Sequence, residues 1–331
     1  MKACVLTKFG PPEVLQFKEV VKPVPNDNEI RIKIRATPVN FADTLIRDFK
    51  SVSPRKFHMP FLFWLIGKMY FGFNKPRVTI LGSEFSGEVE SVGKKVKKYV
   101  KGDHVFGYSG PSMGAYAEYL CVKENSILAL KPANISHHEA STIPYGAIMA
   151  WSMIRKISIK PQQKVLVNGA SGGIGPAVVQ LAKYFGANVT GVCSTQKLEF
   201  VKSLGADQVI DYTKQDYTNC GETYDFIIDI LGKSSFAKCK QVLTTHGQCL
   251  FISFKMNKVF QMLWTSILGR KKVICVLSNE KPKDLIFISE LIKSEKIKTS
   301  IDKCYPLNQA AQAHQYVYQG HKKGNVVITL D

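Results

Sequence analysis

The stretch KVLVNGASGGIG, residues 164–175, decides the fold class of this chain. It opens with a short apolar run, which is typical of a parallel strand covered on both faces. A glycine-rich loop follows over residues 168–175, and apolar residues then recur at helical spacing. A strand, a glycine loop and a helix in this order predict a βαβ unit whose loop lies at a helix N-terminus, where backbone N–H groups face an anion.

Strands and helices continue to alternate after this unit. The apolar runs are ANVTGV, DQVI, YDFIIDI, GQCLFIS and KKVICVL, and helical patterns lie between most of them. This alternation predicts a doubly wound parallel sheet. Residues 1–125 instead contain short strands such as EIRIKIRA, in which apolar and basic residues alternate. The chain is therefore predicted to be an α/β protein with a mostly β domain and a parallel-sheet domain.

Composition and charge narrow the class of protein. Hydrophobic residues make up 45% and charged residues 21% of the 331 residues, as in ordinary globular proteins. The net charge of +19 comes mainly from lysines spread along the chain, without a zinc-finger or RNA-recognition signature. We therefore expect the charge to attract an anionic cofactor or substrate, and we expect no nucleic-acid binding.

The cysteines and the first residues favour a cytoplasmic location. The eight cysteines include no CxxC pair, so neither a zinc-knuckle spacing nor a compact disulfide framework is expected. Reduced thiols in a cytoplasm fit this pattern. The opening residues, MKACVLTKFG, alternate like a strand and do not resemble a signal peptide.

The most apolar window, FHMPFLFWLIGKMYFGF, covers residues 57–73. Pro60, Gly67 and Lys68 interrupt it, and its 17 residues fall short of the roughly 20 that cross a bilayer. No integral membrane association is expected. We interpret the window as a buried or substrate-facing helix, with a monotopic membrane contact as the alternative. Whether it is a lid, a dimer surface or a membrane-facing patch stays open at this point.

The glycine loop resembles two families. The spacing Gly169-x-x-x-Gly173-x-Gly175 resembles short-chain dehydrogenases, which also carry a Tyr-x-x-x-Lys pair such as YQGHK at residues 318–322. Only nine residues follow Lys322, too few to complete the sheet of that family. The YQGHK match is therefore interpreted as a coincidence.

Read as A-x-G-x-x-G over residues 170–175, the loop resembles the medium-chain dehydrogenase/reductase superfamily. Further motifs of that family occur in the same order along nearly the whole chain, namely GPPEVLQFKEV, ILGSEFSGEVESVG, KGDHVFGY, GAYAEY, SLGADQVIDY and HKKGNVVITL. The zinc-free quinone oxidoreductase-like branch fits best. The resemblance implies a GroES-like catalytic domain, residues 1–125 and 280–331, and a Rossmann NADP-binding domain, residues 126–279. It also implies a homodimer through the Rossmann-domain edge near KKVICVL.

The loop is predicted to hold the pyrophosphate of a dinucleotide. Its glycines let the backbone approach the phosphates, and the helix that follows offers free N–H groups and a partial positive charge. The predicted contacts are Gly169, Ala170, Ser171, Gly172, Gly173, Ile174 and Gly175.

Residues after the second strand of this domain favour NADPH over NADH. NAD-binding Rossmann units carry a carboxylate about 20 residues past the glycines, where it holds the ribose 2′-hydroxyl. Here CSTQK occupies residues 193–197, and no carboxylate stands between the strand and Glu199. Hydroxyls and a lysine accept a 2′-phosphate through charge-assisted bonds of about 1.5–3 kcal/mol each. The predicted contacts are Ser194, Thr195 and Lys197, and the resemblance adds Tyr212.

No metal site is expected. Zinc-dependent members of the superfamily hold catalytic zinc with two cysteines and a histidine, and the matching positions here are Asn40, Ser83 and Tyr145. None of these is a Cys, His, Asp or Glu, the residues that supply the ligands of catalytic zinc. The four-cysteine structural lobe is absent as well, because Cys121 is the only cysteine between residues 5 and 192.

Asn40 and Tyr145 occupy the space that the metal would leave, so an amide N–H and a phenol O–H are predicted to donate to the substrate oxygen. The predicted reaction is hydride transfer from NADPH to a quinone or to an α,β-unsaturated carbonyl, such as an enone or alkenal. Tyr145, or a water that it holds, supplies the proton. The substrate is expected to be small and hydrophobic, since the apolar window is expected to flank the cleft.

Alternatives remain for the reaction and for single residues. The same site suits metal-free alcohol–ketone interconversion, and a further alternative is a protein that binds NADPH with little turnover and contacts a partner or nucleic acid. Tyr145 as plain packing and Asn40 as a helix N-cap stay open. Asp43 and Arg47, one helical turn apart, are interpreted as an ion pair that shapes the cleft. Leu45 stands where related quinone oxidoreductases carry an aromatic residue, which argues against a simple quinone as substrate.

Overall fold

The computed structural model describes residues 1–55, 57, 59–320 and 322–330. Its strands are β1 (Lys2–Leu6), β2 (Leu15–Glu19), β3 (Glu29–Pro38), β4 (Glu84–Val92), β5 (His104–Tyr108), β6 (Tyr119–Lys123), β7 (Ile127–Leu130), β8 (Lys164–Asn168), β9 (Asn188–Cys193), β10 (Gln208–Asp211), β11 (Tyr224–Asp229), β12 (Leu243–Phe251), β13 (Lys272–Cys275), β14 (Ile301–Pro306) and β15 (Asn325–Thr329). Its helices are α1 (Phe41–Arg47), α2 (Phe61–Phe71), α3 (His137–Ser141), α4 (Pro144–Ile157), α5 (Gly175–Tyr184), α6 (Leu198–Ser203), α7 (Phe236–Gln241), α8 (Met256–Leu268), α9 (Pro282–Lys293) and α10 (Ala310–Tyr318).

The N-terminal strands and two strands from the C-terminal tail form a mostly antiparallel sheet. Its strand order is β14-β15-β3-β4-β5-β7, β6 also pairs with β3, and β1 and β2 form a separate antiparallel pair. In β3 the side chains of Ile30, Ile32 and Ile34 are buried, whereas the charged residues between them are half-exposed. Each isoleucine faces the core because successive strand residues point to opposite faces. The predicted mostly β domain is confirmed.

The second sheet is parallel and has the order β10-β9-β8-β11-β12-β13. In β8, Val165 and Val167 belong to a core shared with α4, α5 and α9, whereas Leu166 belongs to a core shared with α7. The sheet is thus covered on both faces, and the predicted doubly wound fold is confirmed. The strand order reverses beside β8, so the loop after β8 opens into the crevice where such folds bind their ligands.

Two packing contacts favour domain boundaries later in the chain than those expected from the sequence. β7 pairs with β5 and so continues the N-terminal sheet past residue 125. α9 packs on α4, and its Leu285 and Ile288 belong to the core of the parallel sheet. Because the apolar stripe of α9 is buried there, the chain returns to the first sheet only at β14. We propose boundaries near residues 131 and 300.

Candidate active site

The glycine loop joins the end of β8 to the start of α5 in a tightly packed turn. A Cβ atom on Gly175 would lie 2.2 Å from the carbonyl oxygen of Gly169, so only glycine fits. Gly146 of α4 packs closely onto the loop, since its Cβ would lie 2.6 Å from the carbonyl oxygen of Gly173. Gly169 has a φ of +90°, a conformation that glycine adopts readily. α4 and α5 therefore pack against one side of the loop.

The other side of the loop is open. A Cβ on Gly173 would meet no heavy atom within 4 Å. Ser171, Gly172 and Gly173 line a cleft whose other walls come from the start of α4, from α5 and α6, from residues 297–300 and from the C-terminal tail. Ala170 and Ile174, by contrast, are buried in the core of the parallel sheet. The open backbone at the start of α5 fits the phosphate groups of a dinucleotide.

Lys322 lies in this cleft, although the sequence analysis treated it as part of a coincidental match. It is half-buried, and burial lowers the pKa of its amine, as does the neighbouring Lys197. Tyr318 of the same match is exposed, and its ring centre lies 6.0 Å from the guanidinium carbon of Arg47. The tyrosine therefore does not accompany the lysine, but Lys322 is a candidate phosphate contact that the sequence analysis missed.

The residues expected at the 2′-phosphate gather at the end of β9. Residues Thr195–Lys197 form a short 3-10 turn directly after the strand. Lys197 is half-buried, and burial lowers the pKa of its amine; Asp302 opposes this effect and Lys323 adds to it. Tyr212 is exposed beside the same turn, and its backbone N–H donates to the carbonyl of the last β9 residue at 3.1 Å. The predicted residues are thus neighbours.

A carboxylate at this place was not foreseen. Asp211 accepts a hydrogen bond from the Thr195 hydroxyl at 2.5 Å and one from the Thr213 hydroxyl at 2.7 Å. The hydroxyl proton of Thr195 is therefore engaged, which leaves Ser194 and Lys197 to bind a phosphate. Asp211 directly follows the apolar run DQVI and is the last residue of β10. β10 pairs with β9, and Asp211 lies opposite Cys193 in that pair.

A buried glutamate joins the two predicted catalytic residues. The side-chain amide of Asn40 donates to Glu84 Oε2 at 2.5 Å, and the backbone N–H of Tyr145 donates to Glu84 Oε1 at 2.6 Å. Glu84 is 1% exposed, and burial raises the pKa of its carboxyl to about 8, although both hydrogen bonds act to lower it. The sequence analysis missed this residue, which follows Ser83 directly in the motif LGSEFSG.

Asn40 and Tyr145 both occupy helix starts. Asn40 occupies the N-cap position of α1, but its side chain makes no capping hydrogen bond and its amide instead donates to Glu84. Tyr145 lies in the first turn of α4, half-buried, and its ring centre lies 5.6 Å from that of Tyr108. Burial raises the pKa of the Tyr145 phenol to about 12. The phenol therefore keeps its proton at neutral pH and can donate it.

Asp43 and Arg47 do not form the expected ion pair. The Asp43 carboxylate accepts the backbone N–H groups of Asn40 at 2.8 Å and Gly82 at 3.3 Å, because it occupies the third position of α1 and caps the helix start. Burial raises the pKa of Asp43 to about 7. Arg47 instead contacts the ring of His314 at 3.2 Å. Asp43 thus fixes the backbone that carries Asn40.

The described part of the chain holds no group of three or more His, Cys, Asp or Glu side chains arranged to bind a metal ion. The three positions that match zinc ligands in the related enzymes carry an amide, a hydroxyl and a phenol. Two of them, Asn40 and Tyr145, converge on Glu84. The groups at the three matching positions are therefore hydrogen-bonding groups and not typical zinc ligands.

The apolar window at residues 57–73 was expected to be a buried or substrate-facing helix or a monotopic membrane contact, and the structure contradicts only the buried option. α2 covers most of it, and most of its apolar side chains are exposed. His58 of this window lies outside the described residues. Within the residues that the structure describes, no helix is both long enough and apolar enough to span a bilayer.

Two family models match the chain, one on each side of the glycine loop. The alcohol dehydrogenase GroES-like domain matches residues 26–132, and the zinc-binding dehydrogenase model matches residues 204–328. The N-terminal match covers much of the first sheet with Asn40 and Glu84. The second extends from the end of α6 to β15.

Curated relatives and solved structures are similar over the whole chain. The chain is 31% identical to 2-methylene-furan-3-one reductase of Solanum lycopersicum, over 99% of its own length and 79% of the relative's. It is 28% identical to the mitochondrial NAD(P)H oxidoreductase RTN4IP1 of Mus musculus, over 100% and 89%. The quinone oxidoreductase from Coxiella burnetii superposes with a TM-score of 0.85 at 26% identity, over 100% and 99% of the two chains.

Proposed function

Because the chain belongs to the medium-chain dehydrogenase/reductase superfamily, in its zinc-free quinone oxidoreductase-like branch, we propose that it reduces quinones or α,β-unsaturated carbonyls with NADPH and without zinc. It is an oxidoreductase of this type and uses a nicotinamide cofactor. The observation that carries the proposal is the position of Glu84, which holds Asn40 and the start of α4. α4 in turn packs on the glycine loop through Gly146.

NADPH, when bound, supplies a hydride. The open backbone of Ser171, Gly172 and Gly173 at the start of α5 binds the pyrophosphate in this proposal, and Lys322 adds a positive charge from the tail. The contacts proposed for the 2′-phosphate are Ser194 and Lys197, with Tyr212 beside them. Asp211 opposes a phosphate here, so the preference for NADPH depends on the lysines.

Lys197→Ala is expected to weaken NADPH binding about tenfold or more and to leave NADH binding nearly unchanged. The reason is the loss of one charge-assisted bond to the 2′-phosphate, worth about 1.5–3 kcal/mol. Titration of cofactor fluorescence measures both affinities. Lys202→Ala is the matched control, because this exposed lysine of α6 pairs only with Glu199 among the described acidic residues. An equal loss for both cofactors would place the 2′-phosphate elsewhere.

Asn40 and Tyr145 orient and protonate the substrate in this proposal. The Asn40 amide has two N–H bonds, one of which donates to Glu84, so the second remains to donate to the substrate oxygen. Glu84 acts through Asn40 and is therefore a positioning residue. The Tyr145 hydroxyl gives its proton to the reduced substrate, directly or through a water. No metal ligand is needed for these steps.

Turnover with a chelator present tests the proposal as a whole. NADPH oxidation is measured with a long-chain 2-alkenal, a cyclic enone and a naphthoquinone, each with and without EDTA. We expect turnover of at least one substrate at a rate that EDTA leaves unchanged, since the proposed donors are an amide and a phenol. Added zinc serves as the control. A rate that EDTA abolishes and zinc restores would contradict the metal-free reaction.

We also propose a homodimer through β13 and a cytoplasmic location. β13 is the last strand on its side of the six-stranded sheet, but its outward backbone N–H groups at Val273 and Cys275 already donate to Thr265 and Met262 of α8, so the dimer proposal rests on the family resemblance and not on free strand groups. An isologous contact through this edge obeys the two-fold symmetry of most dimers. The location rests on the cysteine pattern of the sequence.

A further inference from the structure

The helix α8 turns its apolar stripe away from the protein. Its exposed apolar residues recur at intervals of three and four, and they are Met256, Phe260, Leu263, Trp264, Ile267 and Leu268. Trp264 is 68% exposed and Ile267 is 82% exposed. A surface helix of a globular protein ordinarily buries such a stripe. α8 does the opposite.

The helix α2 and the turn after it have the same inverted arrangement. Their exposed apolar residues include Leu62, Ile66, Met69, Tyr70 and Phe73, which again recur at helical spacing. Phe61 is exposed at the N-terminal end of the helix. Contiguous exposed apolar surface of this kind marks an interaction site in a soluble protein.

Each of the two helices buries a lysine while its apolar stripe faces outward. The Lys68 ammonium donates to the carbonyl of Phe49 at 2.5 Å, and the Lys258 ammonium donates to the carbonyl of Ser234 at 2.8 Å. Lysine is almost never buried, because desolvating an ammonium group is unfavourable. Both helices therefore place a lysine inward and a row of apolar side chains outward, and these outward faces suit an apolar environment.

The two helices begin beside each other. The Lys255 ammonium, just before α8, donates to the carbonyl of Arg55 at 2.8 Å, in the segment that leads into α2. Met59, two residues before α2, packs on the hydrophobic core that contains Phe254 and that also underlies α8. The outward faces of α2 and α8 are called the α2/α8 surface below.

The chain segments that form the α2/α8 surface contain no acidic residue. Residues 49–83 have six Lys or Arg and no Asp or Glu, and residues 230–279 have eight Lys or Arg and no Asp or Glu. Exposed members of this set that flank the two helices are Lys50, Lys75, Arg77, Lys255, Arg270 and Lys272. None of these six forms an ion pair with an acidic side chain of the described residues. The chain segments that carry the apolar stripes thus contribute only basic charges.

We propose that the α2/α8 surface docks this protein on an anionic lipid bilayer as a monotopic contact. The apolar stripes enter the boundary between headgroups and acyl chains, and the basic residues that flank the two helices bind the lipid phosphates. A second copy at the β13 edge would meet α8, which covers that edge, but an isologous contact there would bring the basic residues that flank α8 on both copies together. A nucleic acid would leave the apolar stripes without partners. The proposal does not depend on the reaction that the active site catalyses.

Trp264 reports directly on this contact. Of the other two tryptophans, Trp64 is half-buried on α2, where its indole donates to the Val52 carbonyl, and Trp151 stacks on Phe185. The probe is vesicles of phosphatidylcholine and phosphatidylserine that carry brominated acyl chains. We expect a blue shift and quenching of the fluorescence with these vesicles. Trp264→Phe should still bind them to within about twofold, because phenylalanine is also apolar, but should lose the part of the blue shift and quenching that Trp264 contributes, while Trp64 of α2 remains as a second reporter.

Sedimentation with the same vesicles measures the affinity. Trp264→Ser combined with Ile267→Ser is expected to weaken binding about a hundredfold, since burial of each apolar side chain contributes about tenfold. Val21→Ser combined with Val24→Ser is the matched control, because both valines are exposed elsewhere on the protein and should not affect binding. Unchanged NADPH affinity shows that the variants fold.

Three results would overturn the proposal. The first is wild-type binding that is no stronger to the anionic vesicles than to phosphatidylcholine alone. The second is an equal loss for the control pair and the α8 pair. The third is a fall in molecular mass of the α8 pair in solution without any vesicle binding by the wild type, which would make the surface an interface between copies.

Discussion

Gly175→Ala is expected to destabilise the protein by about 2–3 kcal/mol and to weaken cofactor binding about a hundredfold or more. The added methyl carbon would lie 2.2 Å from the Gly169 carbonyl oxygen and 2.6 Å from the Ala170 carbonyl carbon. Both are backbone atoms, so the loop itself must move. Displacing the N–H groups at the start of α5 removes several charge-assisted bonds to the phosphates, each worth about 1.5–3 kcal/mol. Thermal unfolding and cofactor titration measure the two effects.

Gly173→Ala separates the fold of the loop from its contact with the cofactor. Its Cβ would meet no heavy atom within 4 Å, so this variant should unfold at nearly the wild-type temperature. If its NADPH affinity falls while its stability is retained, the backbone at this position approaches the phosphates. A normal affinity in the Gly175→Ala variant would mean that the cofactor does not rest on this loop.

The periodicity of the sequence was sufficient to predict both sheets. EIRIKIRA alternates with a period of two because only one face of β3 is buried, and KVLVN is continuously apolar because both faces of β8 are covered. The boundary near residue 280 was less predictable. The apolar stripe of α9 predicts a helix that packs on a hydrophobic core, but it does not indicate which of the two domain cores this is. The contact between α9 and α4 decides it.

The candidate site was only partly predictable, because its electrostatics arise between residues that are distant in sequence. Asn40 and Tyr145 follow from motif positions, but Glu84 matters only because it is buried between them, 44 residues after Asn40. Lys322 reaches the glycine loop from the C-terminal tail. The outward stripes of α2 and α8 were unpredictable for a related reason, since the pattern of an amphipathic helix does not state which side faces the protein.

Tyr145→Phe is expected to lower kcat about a hundredfold and to leave the affinity for NADPH unchanged, since positioned general acids contribute at least this much. Phenylalanine keeps the ring and its packing but has no proton to donate. The measurement is kcat and KM for whichever substrate of the panel turns over fastest. Tyr108→Phe is the matched control, because that phenol is also half-buried and its ring centre lies 5.6 Å away. A larger loss for Tyr108→Phe would assign the proton to Tyr108.

The pH dependence of kcat/KM tests the same site independently. Glu84, with a pKa raised to about 8 by burial, is neutral below that pH and becomes negative above it. A negative charge beside Asn40 and Tyr145 disfavours negative charge on the substrate oxygen, so kcat/KM should fall as the pH rises through about 8. Glu84→Gln, neutral at every pH, should lack this fall, whereas Tyr145→Phe should retain it at its lower rate. If Glu84→Gln keeps the fall, the group responsible is another one, and Asp43, with a pKa raised to about 7 by burial, is the nearest candidate.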